Sequence, residues 1–168
     1  MVHDLGMLAS RAAVGLAMAA HGAQKTHGTF EGPGPQGTAQ MMSSLGFEPS
    51  QQMAKVASYN ELVSGILLVL GLGGPLAPAG VMSGMLVAGK SVHAKNGFFS
   101  TKNGVELNVI YSAAALAFAS AGFGALSLDH ALGLDRKLRH PVVTALALGG
   151  AMAGAMLALS RRQQPAQT

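Results

Sequence analysis

His21, Glu61, His93 and Glu106 are the side chains of this sequence best suited to moving protons. A histidine beside a carboxylate gives or takes a proton near neutral pH. His21 and Lys25 are four residues apart and Lys90 and His93 three apart, spacings that put each pair on one face of a helix. Ammonium groups there balance the carboxylates or stabilise an anion forming on a bound substrate. The second half of this set lies in Ala88–Asn108, AGKSVHAKNGFFSTKNGVELN, which leaves one apolar run through Lys90 and His93, turns, and enters another through Glu106. Phe98 and Phe99 in that turn suit an apolar lid at a membrane interface. The expected catalytic residues are His21, Glu61, His93 and Glu106; Lys25, Lys90, Asn60, Phe98 and Phe99 are the expected substrate-binding residues.

Each of these groups has a plainer reading. Lysines near helix ends, here Lys25, Lys55, Lys90, Lys95 and Lys102, extend their ammonium groups to lipid headgroups without any further role. A carboxylate near a helix N-terminus is stabilised by the dipole, which fits Glu106 better than Glu61. His21 also reads as a simple interface residue. Two His and two Glu have the ligand types of a non-haem iron or zinc centre. No HxxxH or ExxH spacing accompanies them, and the lysines compete for the carboxylates. No metal site is expected. GxGxxG and P-loop patterns are absent, and His21 and His93 fall at the ends of apolar runs, where they do not suit haem. No intrinsic cofactor is expected.

The elements that must position these groups are apolar. Of 168 residues, 11% are charged, 49% are apolar and 23 are glycine; an ordinary soluble domain carries roughly a quarter charged residues. Mean hydropathy is +0.37. Long runs rich in Gly and Ala point to membrane helices packed through small residues. The absence of Cys excludes disulfide, thiolate-metal and Fe–S chemistry for the chain acting alone. A net charge of +4 without a basic run interleaved with aromatics gives no sign of nucleic acid. Ala17-Met18-Ala19 has the small residues of a cleavage site, but Asp4 sits where a signal peptide wants positive charge and Arg11 interrupts the run. A retained first helix is expected.

Five apolar segments follow in order. The first, Leu5 to about Gln24, is long enough to cross about 30 Å of hydrocarbon at 1.5 Å per residue. Gly28–Ser50 is dense in Pro and Gly and reads as a loop with one short interfacial helix near Thr38–Leu45. The second segment is Gln51–Leu72, joined by Gly73-Gly74-Pro75 to a third at Leu76–Ala94, an antiparallel hairpin. The fourth runs from Gly104 to about Leu126. Ser127–Pro141 is polar and basic, and Val142–Leu159 is a fifth segment without charge, stopped by Arg161-Arg162. Gly80/Gly84/Ala88, Ala113/Ala117/Ala121 and Gly150/Gly154/Ala158 recur every fourth residue as small-residue faces. The terminal QQPAQT reads as a disordered tail.

Up-and-down alternation of these segments collects His21, Gln24, Lys25, Asn60, Glu61, Lys90, His93 and Glu106 at one end, although they come from four separate segments. The other end receives Arg11, partway in, the Gly73-Gly74-Pro75 turn and the Asp129 loop. Buried charges in lipid pair with one another or line a wet cavity, so Glu61 and Glu106 are the expected partners of Lys25 and Lys90, with His93 and Glu106 near Glu61 and His21. The first end also holds more Lys and Arg, which the positive-inside rule places in the cytoplasm; discounting Lys25 and Lys90 as site residues leaves a small margin. The expected fold is all-α: a membrane-embedded antiparallel four-helix bundle with an additional C-terminal transmembrane helix. Residues 1–130 form the four-helix domain and 131–168 the basic loop, fifth helix and tail.

Arg11 with Gly15, then His21-Gly22 and Lys25, resembles the first-helix pattern of the DoxX family. LGFEP and Glu61 opening LVSGILLVLGL resemble its second-helix pattern. His93, Asn96-Gly97-Phe98-Phe99, Asn103-Gly104, Glu106, Gly122-Phe123-Gly124 and Ser127-Leu128-Asp129 resemble its third- and fourth-helix patterns. The resemblance runs from about Leu8 to Asp129, and the fifth segment lies outside the usual four-helix pattern. It implies a small multi-pass bacterial protein of the cell membrane, in the wider DoxX/MauE-like group that includes subunits of an archaeal thiosulfate:quinone oxidoreductase.

Two functions are consistent with these residues. The first is a subunit of a quinone-linked redox or redox-stress complex, with membrane quinone at the polar end and electrons supplied by a partner protein, since the chain has no Cys and no flavin or haem motif. The second is a non-enzymatic scaffold, or a carrier of a small molecule or lipid. The expected partners are the lipid bilayer and a redox partner protein, with a second copy of the chain also possible and no nucleic acid.

Overall fold

The computed structural model describes residues 1–163. Helices are its regular elements, and no strand occurs among the described residues. They are α1 (Val2–His27), α2 (Gly34–Ser44), α3 (Ser50–Leu70), α4 (Leu76–Ala88), α5 (Glu106–Ala121), α6 (Leu128–Ala131), α7 (Asp135–Leu138) and α8 (Pro141–Ser160). The short helix expected near Thr38–Leu45 is α2. Of the terminal residues read as a disordered tail, 164–168 lie outside the described residues.

Two apolar segments end as regular helix well short of the expected boundary. The third apolar segment does not continue as α-helix to Ala94; beyond Ala88 it passes through a π-helical turn, Gly89–His93, and a 3-10 turn, Ala94–Asn96. The fourth does not reach Leu126. It stops at Ala121 because Gly122 follows at φ 77°, a conformation that ends a right-handed helix and that glycine adopts without a Cβ clash. Hydrophobicity continues through Phe123 and Leu126, so composition alone overran the end.

α1 and α3 pack antiparallel at very short range, because glycine stands where the two backbones meet. Gly15 lies against Gly65 and Val69, Gly65 against Ala19, and Gly22 against Leu62. A Cβ on Gly22 would stand 2.4 Å from the Leu62 nitrogen. α4 returns along α3 with Gly80 facing Ser64 and Asn60, and Gly84 facing Asn60. α5 returns along α4, where Asn108 donates to the Met85 carbonyl at 3.4 Å. α1 makes only slight contact with α5, and α8 packs on α4. The three small-residue series have different fates. Gly80 and Gly84 meet α3; Ala113, Ala117 and Ala121 are exposed; and Gly150 and Gly154 have no neighbour within 4 Å, while Ala158 is packed.

Two apolar clusters hold the ends. One joins Met18, Leu68, Ala77, Val81, Ala115, Phe118 and Phe123. The other joins Met42, Phe47 and Ala54 with Val87, Ala158 and Leu159, so the last turn of α8 braces the α2–α3 corner. There the Gln163 N–H donates to the Gly46 carbonyl at 2.8 Å, and the Arg162 guanidinium lies 5.9 Å from the Phe47 ring centre. Among the described residues, two helices are long and apolar enough to cross a membrane, α3 and α8. α5 is apolar but shorter, and the regular part of α4 has 13 residues, below the ~20 that a perpendicular span needs.

Candidate functional site

Lys25 and Glu61 meet because the Gly22 contact brings the last turns of α1 onto the middle of α3. Lys25 Nζ donates to Glu61 Oε1 at 2.5 Å, and the two side chains are 23% and 8% exposed. Glu61 Oε2 is buried and has no hydrogen-bond partner. Glu61 stands well inside α3, which starts at Ser50, so the positive end of that helix dipole does not account for it. Asn60, one position round the helix, turns to α4 and donates to the Gly80 carbonyl at 2.8 Å.

Lys25 has a second neighbour. A cleft of about 290 Å³ opens between the end of α1, α2 and the first half of α3. Pro35, Ala39 and Ala54 form its apolar surface, and Lys25, Lys55 and Tyr59 bring ammonium and phenol groups to it. An ammonium carries three donors and Glu61 takes one, which leaves Lys25 with donors for the cleft.

The other expected site residues form separate groups at the same end. His93 Nδ1 lies 2.8 Å from the Asn103 carbonyl, to which Asn96 also donates at 3.1 Å. Glu106 Oε2 accepts the Ser100 N–H and hydroxyl, each at 2.8 Å. These bonds fold the 94–106 turn upon itself. His21 is exposed, with Gln24 Oε1 at 3.3 Å from its Nδ1. Lys90 is exposed, and Phe98 and Phe99 are exposed and packed edge to face at 5.5 Å. No hydrogen bond or ion pair among the described residues joins His93, Glu106 or Lys90 to Glu61 or His21. Depth explains the separation. Asn60 stands level with Gly80 and Gly84, and from Gly84 to His93 the chain advances about 13.5 Å at 1.5 Å per residue. The expected single cluster is thus a buried pair on α1–α3 and an outer turn between α4 and α5.

The opposite end carries polar groups to which the sequence reading gave no role. Arg11 is 1% exposed; its guanidinium donates to the carbonyls of Leu68 at 2.9 Å and of Val69 and Leu126, while its Nε is buried without a partner. Asp129 is 2% exposed and accepts the N–H groups of Gly73 at 3.0 Å and Gly74 at 2.7 Å. The signal for Arg11 was visible as one charge inside an apolar run; its partners were not, because they are backbone carbonyls from distant segments. Within the π turn, the Ser91 hydroxyl is also buried without a partner. No group of three or more His, Cys, Asp or Glu among the described residues is arranged to hold a metal ion.

The sequence pattern of the DoxX family matches residues 6–94, which include Arg11, His21, Lys25, Glu61 and His93. The match ends before the Asn96–Phe99 turn, Glu106 and Asp129. No curated protein and no solved structure matches the chain with significance. The matched segment spans more than half of the chain and holds the whole Lys25–Glu61 site, and on that match the chain belongs to the DoxX family.

Proposed function

We propose that the chain is an integral-membrane subunit of a quinone-linked redox complex, with Lys25 and Glu61 as its proton-exchanging pair. On this reading α1, α3, α4 and α5 make a membrane-embedded antiparallel bundle and α8 adds a fifth span against α4, in a multi-pass protein of the cell membrane. Family membership, the apolar α3 and α8 and the glycine-mediated helix contacts support it.

The observation that carries the reading is the half-satisfied carboxylate. Glu61 is buried, one oxygen holds Lys25, and the other is free to accept a proton. A quinone headgroup in the adjoining cleft would find the Lys25 ammonium as donor and as counter-charge for its anionic reduced form. Quinone here is an exchangeable substrate. The electrons come from a partner protein, because the chain has no Cys and no flavin or haem motif. His93 and Glu106 lie at the outer level and take no part in contacting the headgroup.

The test is Glu61→Gln in native membranes. The Gln amide oxygen keeps an acceptor for Lys25 but takes no proton, so quinone reduction should fall to background while the protein still inserts; unchanged activity would remove this reading. A second reading, a carrier of a small amphipathic molecule, is favoured by the cleft itself, which sets an apolar wall beside two lysines. Cross-linking and recovery from native membranes separates the two: a dehydrogenase as the captured partner supports the first, transport or envelope proteins the second.

A further inference from the structure

We infer that the cleft between α1, α2 and α3 binds an amphiphile bearing one acidic group, and that binding is coupled to uptake of one proton by Glu61. The inference rests on the carrier reading of this cleft and names its ligand class; it needs no quinone chemistry.

The lining sets the class. Pro35, Ala39 and Ala54 present an apolar wall, while Lys25 and Lys55 bring two ammonium groups and Tyr59 a phenol. No carboxylate lines the cleft; the nearest, Glu61, lies behind Lys25 and is already engaged by it. The lining is therefore electropositive, with an apolar wall to hold a short hydrocarbon segment. A volume of about 290 Å³ is at the small end for ligand sites, so it suits a headgroup and a few carbons, with any longer tail leaving through the open side.

The coupling follows from Lys25 being shared. An anion in the cleft competes with Glu61 for the same ammonium. Lys25 has a donor for each, but its single positive charge then serves two anions, one of them the buried Glu61, whose Oε2 has no partner to begin with. A buried carboxylate without a full counter-charge is costly, and the group neutralises by taking a proton. The balance is one anion and one proton bound together, with no net charge added to the buried region. The titratable groups that line the cleft are Lys25 from α1 and Lys55 and Tyr59 from α3, with Glu61 bonded to Lys25 behind them; α2 brings no titratable side chain, and α4 presents Gly80 and Gly84 to Asn60. Among these, Glu61 is the acid that is both buried and bonded to Lys25.

The experiment is calorimetric titration of the full chain in neutral phosphatidylcholine nanodiscs near pH 7, in two buffers of different ionisation enthalpy. The probes are octanesulfonate, octanol and sodium sulfate. Octanesulfonate is permanently anionic, so every proton counted belongs to the protein. The expected result is saturable binding of octanesulfonate with about one proton taken up per ligand, and at least tenfold weaker binding of octanol and of sulfate. Lys55→Gln, an exposed position that folding tolerates, should weaken octanesulfonate about tenfold. Glu61→Gln should bind octanesulfonate with no proton uptake. Octanol binding as tightly as the sulfonate overturns the acidic class while leaving the carrier reading in place. Sulfate binding as tightly overturns the need for an apolar body. Binding without proton uptake, or uptake that persists in Glu61→Gln, overturns the coupling. Failure of all three probes overturns the inference and the carrier reading together.

Discussion

Glu61 gives one carboxylate oxygen to Lys25 at 2.5 Å and keeps the other buried and unbonded. Neither charge is comfortable without the other. Lys25→Met leaves Glu61 alone in a buried position, and loss of one partner of such a pair costs about 3 kcal/mol. Replacing both, Lys25→Met with Glu61→Leu, removes two charges that had to be desolvated and should recover most of that loss. Thermal unfolding in detergent micelles compares the variants. A double variant as unstable as Lys25→Met, or more so, would show that the pair is not the coupled unit its geometry describes.

The α1–α3 contact makes an equally local prediction. A methyl on Gly22 or Gly65 would meet backbone atoms at 2.4 Å, and backbone cannot move aside as a flexible side chain can. Gly22→Ala and Gly65→Ala should each destabilise by about 2 kcal/mol through overpacking, and should also loosen the Lys25–Glu61 pair that the contact positions. Gly150→Ala and Gly154→Ala on α8 meet nothing within 4 Å and should be neutral or stabilising by up to about 1 kcal/mol through helix propensity. Equal effects at the two sets would contradict the packing.

How much of this was legible depended on the range of the interaction. Periodicity and breakers located α2 from Pro and Gly on both flanks, and the alternation of apolar runs placed Lys25, Glu61, His93 and Glu106 at one end. The Lys25–Glu61 pairing followed from needing a partner for a charge in an apolar segment. What the pattern lacked was depth. His93 and Glu106 looked unsatisfied in a linear reading, yet the Asn103 carbonyl and Ser100 N–H and hydroxyl satisfy them within their own turn. A one-dimensional hydrophobic run also could not show that α4 passes into a π turn at Gly89, or that the carbonyls of Leu68, Val69 and Leu126 converge on Arg11.

The loop before α8 carries a pH-dependent pair. His130 Nδ1 lies 2.9 Å from Asp135 Oδ2, and the Arg136 N–H donates to Oδ1 at 2.8 Å. These bonds, the histidine's foremost, hold the Asp135 carboxyl below its ordinary value. A lowered folded value means that the contribution to stability is fully present above the usual Asp value of about 3.9 and is lost as pH falls below it through the folded value. The group is solvent-exposed, so the readout is local: carbon-13 NMR of the Asp135 carboxyl should show a depressed midpoint that rises toward the ordinary value in His130→Gln. An unchanged midpoint in that variant would assign the depression elsewhere.

At the opposite end from the cleft, Arg11 and Asp129 fasten the same corner from two directions. Arg11 reaches from α1 to the closing carbonyls of α3 and to Leu126, in the segment that follows α5. Asp129 reaches from just beyond that segment to the Gly73 and Gly74 N–H groups, and its own N–H donates to the Gly71 carbonyl at 3.0 Å. Arg11→Lys keeps the charge but loses the planar fork that serves several acceptors at once, and should cost about 3 kcal/mol. Asp129→Asn keeps the shape but replaces one acceptor with an NH₂ facing an N–H, and should cost about 2 kcal/mol. Both bonds set the position of the 122–129 segment against the α3–α4 turn, so breaking one should leave the other less to hold. The double variant is therefore expected to lose at least about 0.5 kcal/mol less than the sum of the single losses, the size of coupling found between groups that share a structural unit. Thermal unfolding of the wild type, both single variants and the double variant completes the cycle. Additivity within about 0.3 kcal/mol would mean that the two side chains secure that corner independently.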